Sequence, residues 1–339
     1  MFRVLFVSIS FLLLFGCDSK KEEDIKNPAI IMEGEAYGST FRIVYYSYDR
    51  NWNVEIQEIM EEFDNSVNTY TSSSFLSKFN KSERGSKADK MLIELVELSR
   101  NYNTVSNGYF DPSVSPLSDL WGFSPSGIKN LPTEQQVDSV MTFVGLENVL
   151  LESDSLGKRD PRVALNFNAM TGYVNDQIAQ FLDEKKVESY LIEIGGEMIA
   201  KGKKPNGDSW LIGIDEPMEK SPQRELNSTL VLENEAMATS GNYRKFHIDE
   251  KSGKKIVHII NPLSGYPETS ALLSASVIAP TCAEADAIAT ALMSMGLEKA
   301  KEYTKARPDL KFYLIWSDES GEFISEAYNG FEVLNNSSK

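Results

Sequence analysis

The sequence predicts an α+β fold, one continuous unit with two lobes, on three observations. Apolar residues recur at helical spacing in two separate segments, Ile56, Ile59, Met60, Phe63 and Val67, and later Val174, Ile178, Phe181 and Leu182. From Ser189 to Ala279 the chain is strand-rich, yet strands and helices never alternate in the regular manner of a doubly wound sheet. No Pro/Gly/Ser-rich linker, low-complexity tract or internal repeat interrupts the chain after about residue 30.

The elements follow in order. Phe41, Ile43, Val44, Tyr45 and Tyr46 give strand character to Gly34–Tyr46. The helix carrying Ile56 to Val67 stops near Asn68, and a second helix runs from about Ala88 to Tyr102 through Leu92, Leu95 and Val96. Thr133-x-x-Gln136 has the form of a capping box, with Gly145 as the C-terminal stop of a short helix. The helix of Val174 to Leu182 leads into a strand over Ser189–Ile194. Trp210–Ile214, Thr229–Leu232, Lys255–Ile260 and Ala271–Ala279 are β-like. A helix opens at Thr281, and the strand Lys311–Trp316 closes the core.

Composition narrows the functions. The 339 residues include 34 Lys+Arg against 50 Asp+Glu, a formal net charge of −16, which argues against a general nucleic-acid binder. An anionic ligand would need metal ions or oriented backbone N–H groups. Two cysteines are too few for a disulfide framework or a zinc-finger set. Residues 1–16 read as a secretion signal, with Arg3 as the basic region and twelve mostly apolar residues from Val4 to Phe15, too few to span a bilayer. Leu14-Phe15-Gly16-Cys17 resembles the bacterial lipobox, which implies lipidation of Cys17 and an acidic tether over 17–30. Cys282 is then the only other thiol.

Chemistry concentrates near the C-terminal helix. In Thr281-Cys282-Ala283-Glu284-Ala285-Asp286-Ala287-Ile288-Ala289-Thr290, Thr281 and Glu284 form a capping-box pair, and Asp286 and Thr290 share one helix face. A carboxylate and a hydroxyl among alanines form a hard-oxygen pair suited to Mg²⁺, or belong to a tightly packed helix with one solvated Asp. Gly195-Gly196 and Thr239-Ser240-Gly241 are either phosphate cradles or turns, and neither matches a P-loop or dinucleotide fingerprint. His258 lies on a strand pattern before the turn Asn261-Pro262-Leu263-Ser264-Gly265, where it could serve as a base or simply be structural. His247 has no such setting.

Taken in order, these segments resemble the motifs of the ApbE family, the FAD:protein FMN transferases. Gly38-Ser39-Thr40-Phe41, preceded by Tyr37, is similar to the family's Met-Gly-Thr element. Asn68-Thr69-Tyr70, Ser73-Ser74 and Phe79-Asn80 follow its next segment. Asn107-Gly108-Tyr109-Phe110-Asp111-Pro112, Pro116-Leu117 and Leu120-Trp121-Gly122-Phe123 resemble a third. Ile194-Gly195-Gly196-Glu197, Ala238-Thr239-Ser240-Gly241-Asn242-Tyr243-Arg244, His258-Ile259-Ile260-Asn261-Pro262 and Glu284 to Leu292 match the rest. Leu165-Asn166-Phe167-Asn168-Ala169-Met170-Thr171-Gly172-Tyr173 departs, with Asn166 where the family has Asp and one residue fewer before Gly172.

The resemblance implies an ApbE-like, T-fold-like core of mixed or antiparallel sheets with packed helices over 31–335. It implies FAD as substrate and Mg²⁺ held by the Asp286 carboxylate, the Thr290 hydroxyl and backbone oxygens near Ala289 and Ala169. It places flavin and adenine contacts around Tyr37, Tyr70, Tyr109, Phe110, Asp111 and Ile260, with Asn166, Thr171, Gly195, Gly196, Thr239, Ser240 and Gly241 as further FAD contacts. His258 becomes the base that takes the proton of a Thr or Ser hydroxyl on a partner. FMN is esterified to that residue and AMP leaves. Acceptors of this kind are flavin-carrying subunits of respiratory complexes, of the Na-translocating NADH:quinone oxidoreductase or Rnf type, or other FMN-binding-domain proteins, and a lipid anchor would hold the enzyme on the periplasmic side of the inner membrane. Two rivals remain: a Mg²⁺-dependent FAD diphosphatase in which water is the acceptor, and a non-catalytic flavin-binding lipoprotein.

Overall fold

A two-strand hairpin opens the fold where a single strand was expected. Ala29–Ala36 (β1) and Ser39–Tyr46 (β2) pair antiparallel, and Tyr37 and Gly38, with φ of 54° and 78°, make the turn between them. Glycine at 38 is an ordinary turn signal; tyrosine at positive φ is not, which is why the sequence pattern ran through the break. The computed structural model describes residues 28–334 except 49, 125–126, 128–129, 216, 218–225, 244 and 250–252. The signal segment, Cys17 and Arg244 lie outside the described residues, and β1 begins within the segment read as tether.

Eight helices are described: α1 (Asn53–Val67), α2 (Phe75–Lys81), α3 (Lys90–Val105), α4 (Ser115–Leu120), α5 (Glu134–Met141), α6 (Gly172–Glu184), α7 (Cys282–Met295) and α8 (Leu297–Ala306). The remaining strands are β3 (Gly85–Lys87), β4 (Val149–Leu151), β5 (Ser155–Lys158), β6 (Tyr190–Ile194), β7 (Glu197–Lys201), β8 (Trp210–Asp215), β9 (Leu226–Leu232), β10 (Glu235–Gly241), β11 (Phe246–Ile248), β12 (Lys255–Val257), β13 (Leu272–Ala279), β14 (Lys311–Ser317) and β15 (Phe323–Tyr328). Eight of the strands form one sheet in the order β1-β2-β6-β7-β10-β13-β14-β15, and every neighbouring pair is antiparallel. The α+β class holds.

Both faces of this sheet are covered, and the alternation of side chains shows how. Ile43, Tyr45, Val277 and Leu314 point into a large core shared with α1, α3, α6 and α7. Their neighbours Val44, Ile278 and Ile315 point the other way, against Trp210, Ile212, Leu230 and Leu232 of the β8–β9 hairpin. A third cluster, built from Leu117, Trp121, Val137, Ile256 and Ile260, joins α4 and α5 to the β11–β12 hairpin.

Helix α7 lies at the centre. Every residue in it is buried except Glu284 and Thr290, as its alanine-rich, all-round apolar sequence requires. The small side chains allow α6 to cross close by. A Cβ on Gly172 would collide with the Cys282 carbonyl oxygen, so glycine there permits the crossing.

Several boundaries differ from expectation. Thr281 caps α7 by accepting the Glu284 N–H at 3.3 Å, but the Glu284 carboxylate pairs with Arg307 at 3.0 Å instead of returning to the cap, so only half of the box forms. The box at Thr133 and Gln136 is complete, and its helix ends at Met141, with Gly145 opening a short 3-10 turn instead. β12 stops at Val257 and Ile260 makes only an isolated bridge to Pro267. β15, not β14, forms the sheet edge. Among the described residues, no helix is long and apolar enough to cross a membrane.

Candidate functional site

One side of α7 sets the site. Four residues apart, Asp286 and Thr290 both line a cavity of about 430 Å³, and Ser294, four residues further on, lines it as well. Asp286 is only 3% exposed, so the solvated-Asp reading is excluded. Its Oδ2 accepts the Gly172 N–H at 3.1 Å and lies 3.4 Å from the Thr171 hydroxyl. Burial pushes its carboxyl up to about 7, with those hydrogen bonds acting in the opposite sense.

Glu197, at the start of β7, lines the same cavity and is also raised, by burial first and then by the charge of Asp286. Among the described residues no Lys, Arg or His pairs with either carboxylate. Such a pair is costly unless a cation compensates it. Thr290 adds a hydroxyl, which shares a 3.0 Å hydrogen bond with Ser240, and Ala169 lines the same cavity. No group of three or more His, Cys, Asp or Glu among the described residues could hold a metal. A cation here would therefore take hydroxyl and carbonyl oxygens beside the carboxylate. That hard-oxygen donor set fits Mg²⁺.

The same cavity carries the candidate base. His258 follows β12 directly, next to Val257, which pairs with Phe246 of β11. Its Nδ1 lies 3.0 Å from the Lys245 carbonyl oxygen, and its backbone N–H donates to the same oxygen at 3.3 Å. With Nδ1–H donating to that carbonyl, Nε2 keeps its lone pair. Burial, followed by the Lys245 ammonium, pushes the imidazole down to about 4, so it is neutral at pH 7. Lys245 is the one Lys or Arg among the described residues lining the cavity.

Tyr109, Phe110, Phe123 and Ile260 make the apolar part of the cavity, suited to a planar ring system. Lys299 donates to the Tyr109 hydroxyl at 2.5 Å. Asp111, whose carboxyl burial pushes up to about 6, accepts the Ser113 N–H at 2.8 Å. The segment after Leu165 lines the cavity with Asn166, Asn168 and Ala169. Asn80 holds it through two backbone bonds to Leu165, both 2.9 Å, and Asn166 accepts the Asn168 N–H at 2.8 Å.

A family model described as the ApbE family matches residues 37–314. The chain belongs to the ApbE family. It is 31% identical to the FAD:protein FMN transferase of Haemophilus influenzae, covering 90% of this chain and 91% of that one. With the Vibrio cholerae FAD:protein FMN transferase the identity is 29%, over 95% of this chain and 96% of the other. Among solved structures it resembles the apo flavinyl transferase ApbE of Pseudomonas stutzeri, with a TM-score of 0.81, 29% identity and coverage of 91% and 97%. The flavin transferase ApbE of Vibrio cholerae gives 0.78 and 29%, with coverage of 90% and 99%.

In this ApbE-family chain the expected site residues do not all converge. His258, Tyr109, Phe110, Asp111, Asn166, Ala169, Thr239, Ser240, Gly241, Ile260, Asp286 and Thr290 line the one cavity. Thr171 does not line the cavity, and its hydroxyl lies 3.4 Å from the Asp286 carboxylate. Ala289 is fully buried on α7 and is not a cavity residue. Gly195 and Gly196, with φ of 71° and 108°, form the β6–β7 turn that delivers Glu197. Tyr37 packs edge-on against Phe63, donates to the Met60 carbonyl at 2.7 Å and lines a second cavity with Glu35, Glu61 and Asp64. Tyr70 is 77% exposed and lies outside both cavities.

Glu197, Tyr243, Lys245 and Ser294 were not singled out by the sequence reading. Ser294 continues the four-residue spacing of Asp286 and Thr290 and was there to be found. Glu197 ends the Ile194-Gly195-Gly196-Glu197 motif, behind two glycines that read as a turn.

Proposed function

We propose that this chain transfers FMN from FAD to the hydroxyl of a Thr or Ser on a target protein, with release of AMP. One observation carries the reading: a neutral imidazole with a free Nε2 and a buried, cation-free carboxylate beside a hydroxyl line the same cavity. Its relatives and structural neighbours named for this chemistry support it.

Asp286, Thr290 and the Ala169 segment would hold Mg²⁺, which would supply charge neutralisation when bound. The residues do the rest. Tyr109, Phe110 and Ile260 take the planar rings, and the end of β10 at Thr239, Ser240 and Gly241 offers hydroxyls and backbone N–H groups to the phosphates. The acceptor hydroxyl oxygen bonds to the phosphorus of the FMN half, its proton passes to His258 Nε2, and the bond from that phosphorus to the bridging oxygen breaks, so that AMP departs. The Lys245 carbonyl keeps the ring in the tautomer that accepts this proton. With a single Lys among the described residues lining the cavity, a bound cation would provide the positive field that an acidic protein needs for an anionic substrate.

The lipobox at Cys17 supports an enzyme tethered to the envelope membrane on the periplasmic side, among the flavin-carrying subunits of respiratory complexes it would modify. A shared membrane surface raises the effective concentration of enzyme and acceptor.

Exposure of Tyr70 favours a second reading at the same site. A tyrosine placed over the cavity would restrict water; here it does not cover it, which leaves water access for hydrolysis of FAD to FMN and AMP. Chromatography of FAD, FMN and AMP with and without an acceptor polypeptide separates the two readings. Transfer gives AMP only with the acceptor and without equivalent free FMN. Hydrolysis gives both nucleotides in equal amounts from FAD alone.

A further inference from the structure

Helices α6 and α7 cap each other. Asp286 on α7 accepts the N–H of Gly172, the first residue of α6. In return Asp176, one turn into α6, accepts the N–H groups of Cys282 and Ala283, the first two residues of α7, at 2.7 and 2.9 Å. The remaining donors at that end are also accounted for, because Glu284 N–H goes to the Thr281 hydroxyl and Ala285 N–H to the Thr281 carbonyl. Gly172 touches the Cys282 backbone closely enough to exclude a Cβ, and Asn175, between Gly172 and Asp176, donates to the Glu197 carbonyl at 2.8 Å. One face of α6 thus fixes the start of α7 and the start of β7 together.

We infer that Asp176 is a positioning residue for the reaction: through the α7 N-terminus it sets where Asp286 and Thr290 stand in the cavity they line with Ala169. The inference rests on the transferase reading for its consequence and on the helix crossing for its geometry. An ordinary cap comes from the residue next to its own helix and steadies that helix alone. Asp176 comes from 106 residues earlier, on the helix whose first N–H holds Asp286. Two carboxylates and two helix N-termini form a closed loop, so loosening one cap releases the other.

The test compares wild type, Asp176→Asn and Asp176→Ala, using Mn²⁺ as a paramagnetic probe in the presence of FAD. Free Mn²⁺ is followed by electron paramagnetic resonance, alongside thermal melting and FMN transfer. Asparagine preserves the shape and one acceptor oxygen but turns an amide N–H₂ toward the other donor. The expected order of Mn²⁺ affinity is wild type, then Asn, then Ala, with at least a tenfold loss for Asp176→Ala and a parallel fall in kcat. FAD affinity without metal changes less than threefold. Folded variants with a lower melting temperature but Mn²⁺ affinity and kcat within twofold of wild type overturn the inference, since the residue then only stabilises the fold. If Asp176→Ala does not fold, Asp176→Asn decides alone, with a loss of at least threefold in Mn²⁺ affinity expected. Wild-type protein that binds no Mn²⁺ overturns the inference too. Wild-type protein that binds Mn²⁺ but transfers no FMN, with the affinity order intact, supports the positioning and contradicts only the transferase reading.

Discussion

Replacing Asp286 with asparagine should stabilise the metal-free protein while abolishing its response to Mg²⁺. The Asp286 side chain is 3% exposed, and burial raises its carboxyl from 3.8 to about 7. At about 1.4 kcal/mol per pH unit, the ionised carboxylate costs the metal-free fold roughly 4 kcal/mol. Below pH 4 the group is protonated in both folded and unfolded states and costs nothing. Between pH 4 and 7 the folded state keeps a proton that the unfolded state has released, so stability falls as pH rises. Above pH 7 the full penalty is present. Asparagine removes this slope, and its carbonyl can still accept the Gly172 N–H, now without the charge that strengthens the bond, a loss of about 1–2 kcal/mol. The net expectation at pH 8 is a gain of about 2 kcal/mol in urea unfolding with chelator present. With Mg²⁺ at a hundredfold excess over its dissociation constant, the wild type gains about 2.7 kcal/mol and the variant none. A variant less stable than wild type in chelator, or one that gains the same increment from Mg²⁺, would refute the assignment of Asp286 as the buried ligand.

Three further outcomes are expected. Because His258 is held down at about 4, kcat/KM measured with Mg²⁺ kept saturating, so that Asp286 stays ionised, remains level on the acid side until pH nears that value, and Lys245→Met, which removes a neighbouring positive charge, moves the acid limb to higher pH; an unmoved limb contradicts the influence of Lys245 on the imidazole. Asn80→Ala leaves the Leu165 N–H and C=O without their partner, costing about 1–3 kcal/mol and raising KM for FAD more than it lowers kcat, measured by unfolding and steady-state kinetics. Gly172→Ala forces a methyl group against the Cys282 carbonyl and destabilises by about 1–3 kcal/mol or more, so a variant melting at the wild-type temperature would show that the helices do not cross this closely.

The parts of the site that were legible in the sequence share a local cause. Thr281 announces the start of α7, and once that start is fixed, four-residue spacing puts Asp286 and Thr290 on one face without any tertiary information. His258 could be placed at a strand end because the turn sequence after it is unmistakable. The helices at Ile56 and Val174 appear where their periodicity predicts them. What the sequence withheld depends on partners far along the chain. The burial of Asp286 follows from the crossing of α6, which alanine and glycine content permits but does not dictate. Glu284 is drawn to Arg307, so its half of the capping box is lost to a residue 23 positions away. The sheet β3-β5-β4 is made of strands three or four residues long, too short for a periodic signal. Tyr37 and Tyr70 belong to family-like segments, yet the first packs against α1 and the second faces solvent.

The most direct test of the central claim is the intact mass of an acceptor polypeptide bearing a Thr or Ser after incubation with this protein, FAD and Mg²⁺. The account predicts acceptor enlarged by esterified FMN, one AMP released for each adduct, and no adduct when either His258→Gln or Asp286→Asn replaces the wild type. Acceptor of unchanged mass, with FAD intact or converted to free FMN and AMP, would contradict it.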